Sequence, residues 1–363
     1  MSAAPLVSVV MAVCDGEEYI REALNSILGQ TFREFEFIII NDGSTDNTTG
    51  ILQEYAKLDD RLKVFHQENR GVVSALNRGC GLARGKYIGR MDADDIAVPD
   101  RFERQVDFLD RHSAVALLGG AIELINGRGV PIRGVRYPIE DRQIKEELFS
   151  RANCFCHPSI MMRKDAFDAT GGYRLPFRHA EEYDLWLRMA ESYELANLAN
   201  VLLYYRVHAG QVTTRNLKQQ VLSAFAARAA ARVRRDAGQD PPLAADGVTI
   251  DTLASLAVRS DQVIDELIKA YLGWAELMVA AGEYGCTGNL LRETLVLSRA
   301  KPIRCRIAEL HVECARGLYL ERDPRGAVNS LAKAAVLRPT LISRFLRYAW
   351  RALRKSESRV RHT

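Results

Sequence analysis

The 363-residue chain contains no run of roughly 18 uncharged apolar residues, the length a membrane-spanning helix needs. Its seven cysteines (14, 80, 154, 156, 286, 305 and 314) are odd in number and scattered. A secreted disulfide framework would be even and clustered, so a reducing, cytosolic compartment is expected. The N-terminal MSAAPLVSVVMAVC lacks a positively charged leader region and soon meets Asp15. It reads as the lead-in to a strand and not as a signal peptide. Charge of one sign is also scarce: 50 Lys and Arg against 46 Asp and Glu leave +4, too small a bias to indicate nucleic-acid binding. That small excess is unevenly placed. Residues 338–363 hold eight basic side chains and one acidic, so the tail carries +7 and the first 337 residues −3. A hydrophobic share of 47% with 26% charged residues excludes a disordered or collagen-like chain, and the length suits two domains.

What is present is an alternation. Residues 6–13, 35–40, 62–65 and 87–91 are short β-rich runs, separated by amphipathic stretches at about 17–29, 46–58 and 72–83, with another at 99–111. Strands alternating with helices predict βαβ units and a mostly parallel, Rossmann-like sheet. Strand-like pieces follow near 115–124, 158–162 and 200–206, with helices at 182–191 and 215–236. The Gly-, Pro- and Asp-rich segment AGQDPPLAADG (237–247) marks a linker. The expected division is an α/β domain over 1–236, a linker over 237–249, and an all-α domain over 250–363 with helices at 250–281, 284–299, 303–320, 324–337 and 340–356.

In open α/β sheets ligands bind off the carboxyl ends of the strands, and here those ends are acidic. Asp92-Ala93-Asp94-Asp95 follows the fourth strand. Carboxylates at i and i+2 on a tight turn suit a hard cation, Mn2+ or Mg2+, which bridges diphosphate oxygens; such a turn also caps a following helix. Asp42, in NDGSTDNT, sits where a carboxylate can accept the imide N–H of a uracil-like base, or act as a turn residue. Asp15 and Glu17 close the first strand, and Asn69-Arg70-Gly71 the third. Cys154-x-Cys156-His157 lacks the spacing and the fourth ligand of a zinc site.

Taken in order, VSVVMAVCDGEEYI, NDGSTDNT, NRGVVSALNRG, MDADD, HPSIMMRKDAFDATGGY, EEYDLWLR and YRVH resemble glycosyltransferase family 2, the inverting GT-A nucleotide-sugar transferases, over about residues 5–215. The resemblance implies that Asp15, Glu17, Asp42 and Asn69 line the nucleotide-sugar pocket. It implies that Asp92 touches ribose or metal, that Asp94 ligates the metal with Asp95 beside it, and that His208 reaches metal or pyrophosphate. The family's general base lies in a Glu-Asp pair opening a later helix. Here the pair is Glu181-Glu182, so Glu182 stands where Asp is usual. Ala12, Cys14 and Leu76 also depart from the frequent Pro, aromatic and Arg.

The implied activity is metal-dependent transfer from a nucleotide-diphosphate sugar, UDP-linked by expectation, to a carbohydrate or lipid-linked acceptor in surface polysaccharide or glycoconjugate synthesis. The Q-x-x-R-W motif of processive synthases is missing. Two rivals stay open: a nucleotidyltransferase, disfavoured because no Gly-rich basic phosphate loop follows the first strand, and a decayed transferase acting as a scaffold. In the helical half, Ala327, Leu331, Ala334 and Pro339, echoed by Thr287, Leu291 and Thr294, are similar to a tetratricopeptide-like repeat; an ordinary bundle fits as well. In the tail, Leu341, Ile342, Phe345, Leu346, Ala349, Trp350 and Leu353 form one helical face, and Arg344, Arg347, Arg351, Arg354 and Lys355 the other. That pattern suits either an anionic membrane surface or packing onto the helical domain, and with it a cytoplasmic protein held peripherally at the membrane's inner face.

Overall fold

The structure, a computed structural model, describes residues 4–243 and 247–339. The basic amphipathic segment expected at 340–356 lies outside the described residues. The chain forms two compact units: Met1–Arg206 with Lys218–Ser260, and Val207–Leu217 with Asp261–Thr363.

The first unit opens with β1 (Val7–Val13), α1 (Ile20–Leu28), β2 (Phe35–Asp42), α2 (Thr48–Leu58), β3 (Leu62–Gln67), α3 (Val72–Leu82) and β4 (Tyr87–Arg90). It continues through β5 (Ile96–Ala97), α4 (Arg101–Arg111), β6 (Val115–Asn126), β7 (Pro131–Val135), α5 (Asp141–Ser150), β8 (Met161–Arg163) and α6 (Lys164–Thr170). Then come α7 (Glu181–Ala190), β9 (Glu194–Val207), α8 (Val212–Ala237) and α9 (Ile250–Ser255). The second unit is built on α10 (Ser260–Ala281), α11 (Tyr284–Leu297), α12 (Lys301–Leu320) and α13 (Pro324–Leu337). An α/β domain and a helical C-terminal region are therefore both present, as the sequence pattern implied.

The sheet order is β3-β2-β1-β4-β8-β6-β9-β5, with β7 on β6. β1 pairs in parallel with β2 and β4, and β2 with β3. Each of β4–β8, β6–β8, β6–β7 and β5–β9 is antiparallel. The parallel quartet is the site's platform, because it delivers four carboxyl ends to one edge. β2 is buried along its whole length, FEFIIIND, which explains its unbroken apolar run: both faces are covered. α1 buries Ile20, Ala23, Leu24 and Ile27 at helical spacing. On α3, a Cβ at Gly79 would lie 2.5 Å from Val10 Cγ1, so only glycine lets that helix settle onto the sheet.

Two helix boundaries differ from the sequence pattern. The stretch 250–281, read as one helix, is two, α9 and α10, broken where Ala257 takes φ +56°. α8 is likewise interrupted at Asn216, whose φ of −122° is not helical. In the second unit the repeat-like positions Thr287, Leu291, Thr294, Ala327 and Ala334 are buried, and the hydroxyls of Thr287 and Thr294 bond back to the carbonyls of Glu283 and Leu290. No helix among the described residues is long and apolar enough to cross a membrane.

Candidate active site

The ends of β1 and β2 are locked together by their own acids. Asp15 takes the left-handed conformation, φ +53°, and its Oδ1 accepts the Thr45 N–H at 2.6 Å. The Glu17 N–H donates to Asp46 Oδ2 at 2.9 Å, and Glu17 Oε2 accepts the Asn47 N–H at 2.9 Å. Both acids are exposed, so they shape the NDGSTDNT loop while keeping a face toward solvent. Asp42 is buried at 4% exposure, and three protein donors reach it: Gln67 Nε2 at 2.7 Å, Arg70 N–H at 2.9 Å and Gly71 N–H at 2.8 Å. A carboxylate offers about four lone-pair positions, so about one is left for a ligand. Asn69 Nδ2 donates to Cys14 Sγ at 3.4 Å, linking the segment after β3 to the one after β1. Gly43, at φ +77°, permits that link, since a Cβ there would lie 2.8 Å from the Asn69 nitrogen.

At the end of β4, one carboxylate oxygen each from Asp92, Asp94 and Asp95 lies within 4.8 Å of the others. Asp92 pairs with Arg90 Nη2 at 2.6 Å. Asp95 is 1% exposed; one oxygen accepts the Arg206 N–H at 2.8 Å and the other has no partner. Burial, then the charges of Asp94 and Asp92, pushes the Asp95 carboxyl well above its ordinary range. Burial likewise raises Asp92, against the pull of Arg90. These groups fit a hard divalent cation: all donors are oxygens, they converge, and one is buried without a partner. A cation there would offset the burial and mutual repulsion that raise Asp92 and Asp95.

Buried arginines hold this turn. Arg206 Nε donates to the Asp94 carbonyl at 2.8 Å, Nη1 to the Gly127 carbonyl at 3.0 Å and Nη2 to Glu22 at 2.9 Å, with its guanidinium 4.5 Å above the Tyr19 ring. Arg101, fully buried, donates to the carbonyls of Arg90 and Ile160 at 2.8 and 3.0 Å, and burial lowers its pKa to about 9. That is still high enough for it to be charged near neutrality.

Glu181 and Glu182 open α7, after His179 at φ +70°. Glu181 is 5% exposed and its Oε2 has no partner. Glu182 is half-buried, and its Oε1 accepts from Asn153 Nδ2 at 3.3 Å. A helix N-terminus favours carboxylates, yet burial outweighs it: the Glu181 carboxyl is raised, and burial with the neighbouring Glu181 pushes Glu182 up to about 8. The charge of Asp92 acts on both glutamates in the same direction.

Residues 8–171 match the profile described as Glycosyl transferase family 2. The O-antigen biosynthesis glycosyltransferase WbnJ of Escherichia coli is 36% identical over 207 residues, covering 56% of this chain and 80% of WbnJ. The chain belongs to glycosyltransferase family 2. An uncharacterized glycosyltransferase of Haemophilus influenzae is 34% identical over 223 residues, covering 59% of this chain and 69% of the relative. Among solved structures, S. aureus TarS 1–349 in complex with UDP-GlcNAc superposes with a TM-score of 0.53 at 17% identity, covering 90% of each chain. That likeness establishes a shared GT-A fold.

Within this family member the structure brings Asp15, Glu17, Asp42 and Asn69 to one set of strand ends, and Asp92, Asp94 and Asp95 to the neighbouring one. His208 falls in the second unit, where its N–H donates to Gln211 Oε1 at 3.1 Å. His157 turns to Tyr173, with Nε2 2.8 Å from the phenol oxygen, and burial lowers its pKa well below the ordinary value. Asp184 is fully buried between Arg174 and Arg188, and Arg188 also donates to the Thr170 and Gly172 carbonyls at 2.6 Å each. It is a structural acid that ties α7 to the Gly171-Gly172-Tyr173 turn. Replacing Asp184 by Asn leaves the buried Arg188 without its carboxylate, while Arg174 keeps Asp240, and is expected to cost about 3–5 kcal/mol of stability, measured by urea unfolding.

Sequence reasoning missed Arg90, Arg101 and Asn153. Each lies one to six residues from a motif already singled out, but a charged or amide side chain ordinarily reads as solvent-facing.

Proposed function

We propose that the protein is an inverting, metal-dependent glycosyltransferase that uses a nucleotide-diphosphate sugar, UDP-linked, and an acceptor hydroxyl on a carbohydrate or lipid-linked glycan. The observation that carries this reading is the pairing of a convergent three-carboxylate turn with a glutamate pair, Glu181 buried and Glu182 half-buried, whose basicity is raised. Asp42, Asp15, Glu17 and Asn69 would position the nucleoside. Asp94 and Asp92, with Asp95, would hold Mn2+ or Mg2+, which when bound supplies charge neutralisation for the departing diphosphate. Glu182, with Glu181 as the alternative, would take the proton from the acceptor hydroxyl as its oxygen attacks the anomeric carbon. Asn153 would orient Glu182. WbnJ's role in O-antigen biosynthesis supports a surface-polysaccharide setting. The basic tail pattern supports a cytoplasmic, membrane-peripheral site of action.

A panel of nucleotide sugars incubated with Mn2+ tests the reading. Release of nucleoside diphosphate is expected. Release of sugar 1-phosphate would indicate nucleotidyl transfer, and no turnover with any donor would indicate a scaffold.

A further inference from the structure

Arg90 ends β4, two residues before the acidic turn, and is 4% exposed. Its Nη2 donates to Asp92 Oδ1 at 2.6 Å, its Nη1 turns back to the Met91 carbonyl, and its Nε has no partner. The Arg90 backbone is fixed on both sides: its N–H donates to the Ile160 carbonyl at 3.0 Å, and its own carbonyl accepts from Arg101 at 2.8 Å. The guanidinium therefore has little freedom to swing away. Asp92, by contrast, keeps 32% of its side chain exposed, so ligands reach its free oxygen from the open side of the turn.

A guanidinium stays charged at any pH the protein meets. One of the three converging carboxylates is thus already neutralised by a resident cation. A divalent ion entering alone meets a fixed positive charge within hydrogen-bond reach of one of its ligands, in a partly buried setting where screening is weak. A diphosphate entering with the ion changes the sign of the balance, because its negative charge is attracted by the same guanidinium.

We propose that Arg90 is a positioning residue, the built-in counter-ion of Asp92, and that it makes divalent-cation binding at the acidic turn depend on a nucleoside diphosphate. The proposal rests on the metal reading above. Arg90 would hold the turn in shape while no donor is present and discourage capture of a free metal ion. Cation and donor would then enter together.

Calorimetric titration of Mn2+ into the full-length protein, with and without saturating UDP or GDP, tests this without turnover. In the wild type, the better-bound nucleotide is expected to tighten Mn2+ binding on the order of tenfold or more. Arg90→Gln is expected to bind Mn2+ alone on the order of tenfold more tightly than wild type, with a smaller nucleotide effect, while sugar transfer falls. Arg90→Lys, which keeps the charge, should titrate like wild type. Opposite movement of metal affinity and turnover separates this role from mere support of the turn, whose loss would weaken both. Unchanged or weaker Mn2+ binding in folded Arg90→Gln overturns the proposal, as does a wild-type Mn2+ affinity indifferent to either nucleotide. If Arg90→Gln does not fold, the nucleotide dependence in wild type and Arg90→Lys decides alone. Absence of Mn2+ binding by wild type even with nucleotide would contradict the metal reading itself, a different outcome from nucleotide-independent binding.

Discussion

Glu182→Gln is expected to lower kcat by about 10²–10⁴-fold while leaving the protein as stable as wild type or more so. The two effects have one source. Burial and Glu181 push the Glu182 carboxyl up to about 8, so its ionised form is a strong base held in an unfavourable place. The unfolded chain releases that proton near the ordinary glutamate value of about 4.3. Because the folded pKa is the higher one, this group's stabilising contribution is full below about 4.3 and is lost as pH rises through about 8. Glutamine keeps the shape and removes the ionisation, so thermal unfolding should favour the variant increasingly between those limits. Activity has the opposite slope. The base must be ionised, so kcat/KM should rise with pH and level off above about 8, and the limb should vanish in Glu182→Gln. If Glu181→Gln removes the limb and Glu182→Gln keeps it, the base is Glu181.

Asp94→Ala is expected to reduce donor turnover by about 10³-fold or more, with little change in stability. The turn is held through its backbone, since the Asp94 carbonyl accepts from Arg206 Nε at 2.8 Å and the Asp95 side chain from the Arg206 N–H at 2.8 Å. Truncating the Asp94 side chain leaves both bonds in place. Circular dichroism should be unchanged and Mn2+ affinity reduced. Wild-type-like turnover by Asp94→Ala in the presence of a chelator would remove the metal from the mechanism.

The parallel half of the fold was legible because β1 and β2 are covered on both faces and its strands are separated by helices with clear periodicity. Phe35–Asp42 and α1 show this most plainly. In the antiparallel half the pieces near 115–124, 158–162 and 200–206 correspond to β6, β8 and β9, whereas β5 and β7 were missed. β5 spans two residues, too short for a period, and β7 carries Pro131 and Gly134 on a largely exposed edge. α5 and α6 were missed, and the break at Ala257 has no glycine or proline to announce it.

At the site, the acids were legible from their positions at strand ends, whereas the cations that balance them were not. A charge of −3 over the first 337 residues suggested a pocket worked by carboxylates and metal. The structure adds buried Arg90, Arg101 and Arg206 around the same turn, and their contacts depend on long-range packing against Ile160, Gly127 and Glu22.

The account's central claim is direct displacement of a nucleoside diphosphate by an oxygen that a glutamate activates. The measurement that bears on it most directly is proton NMR of donor turnover with Mn2+, using an α-linked nucleotide sugar and water or a simple acceptor. The expected result is nucleoside diphosphate together with a product whose anomeric proton first appears in the β configuration. A product formed first in the α configuration, or release of sugar 1-phosphate, would contradict it.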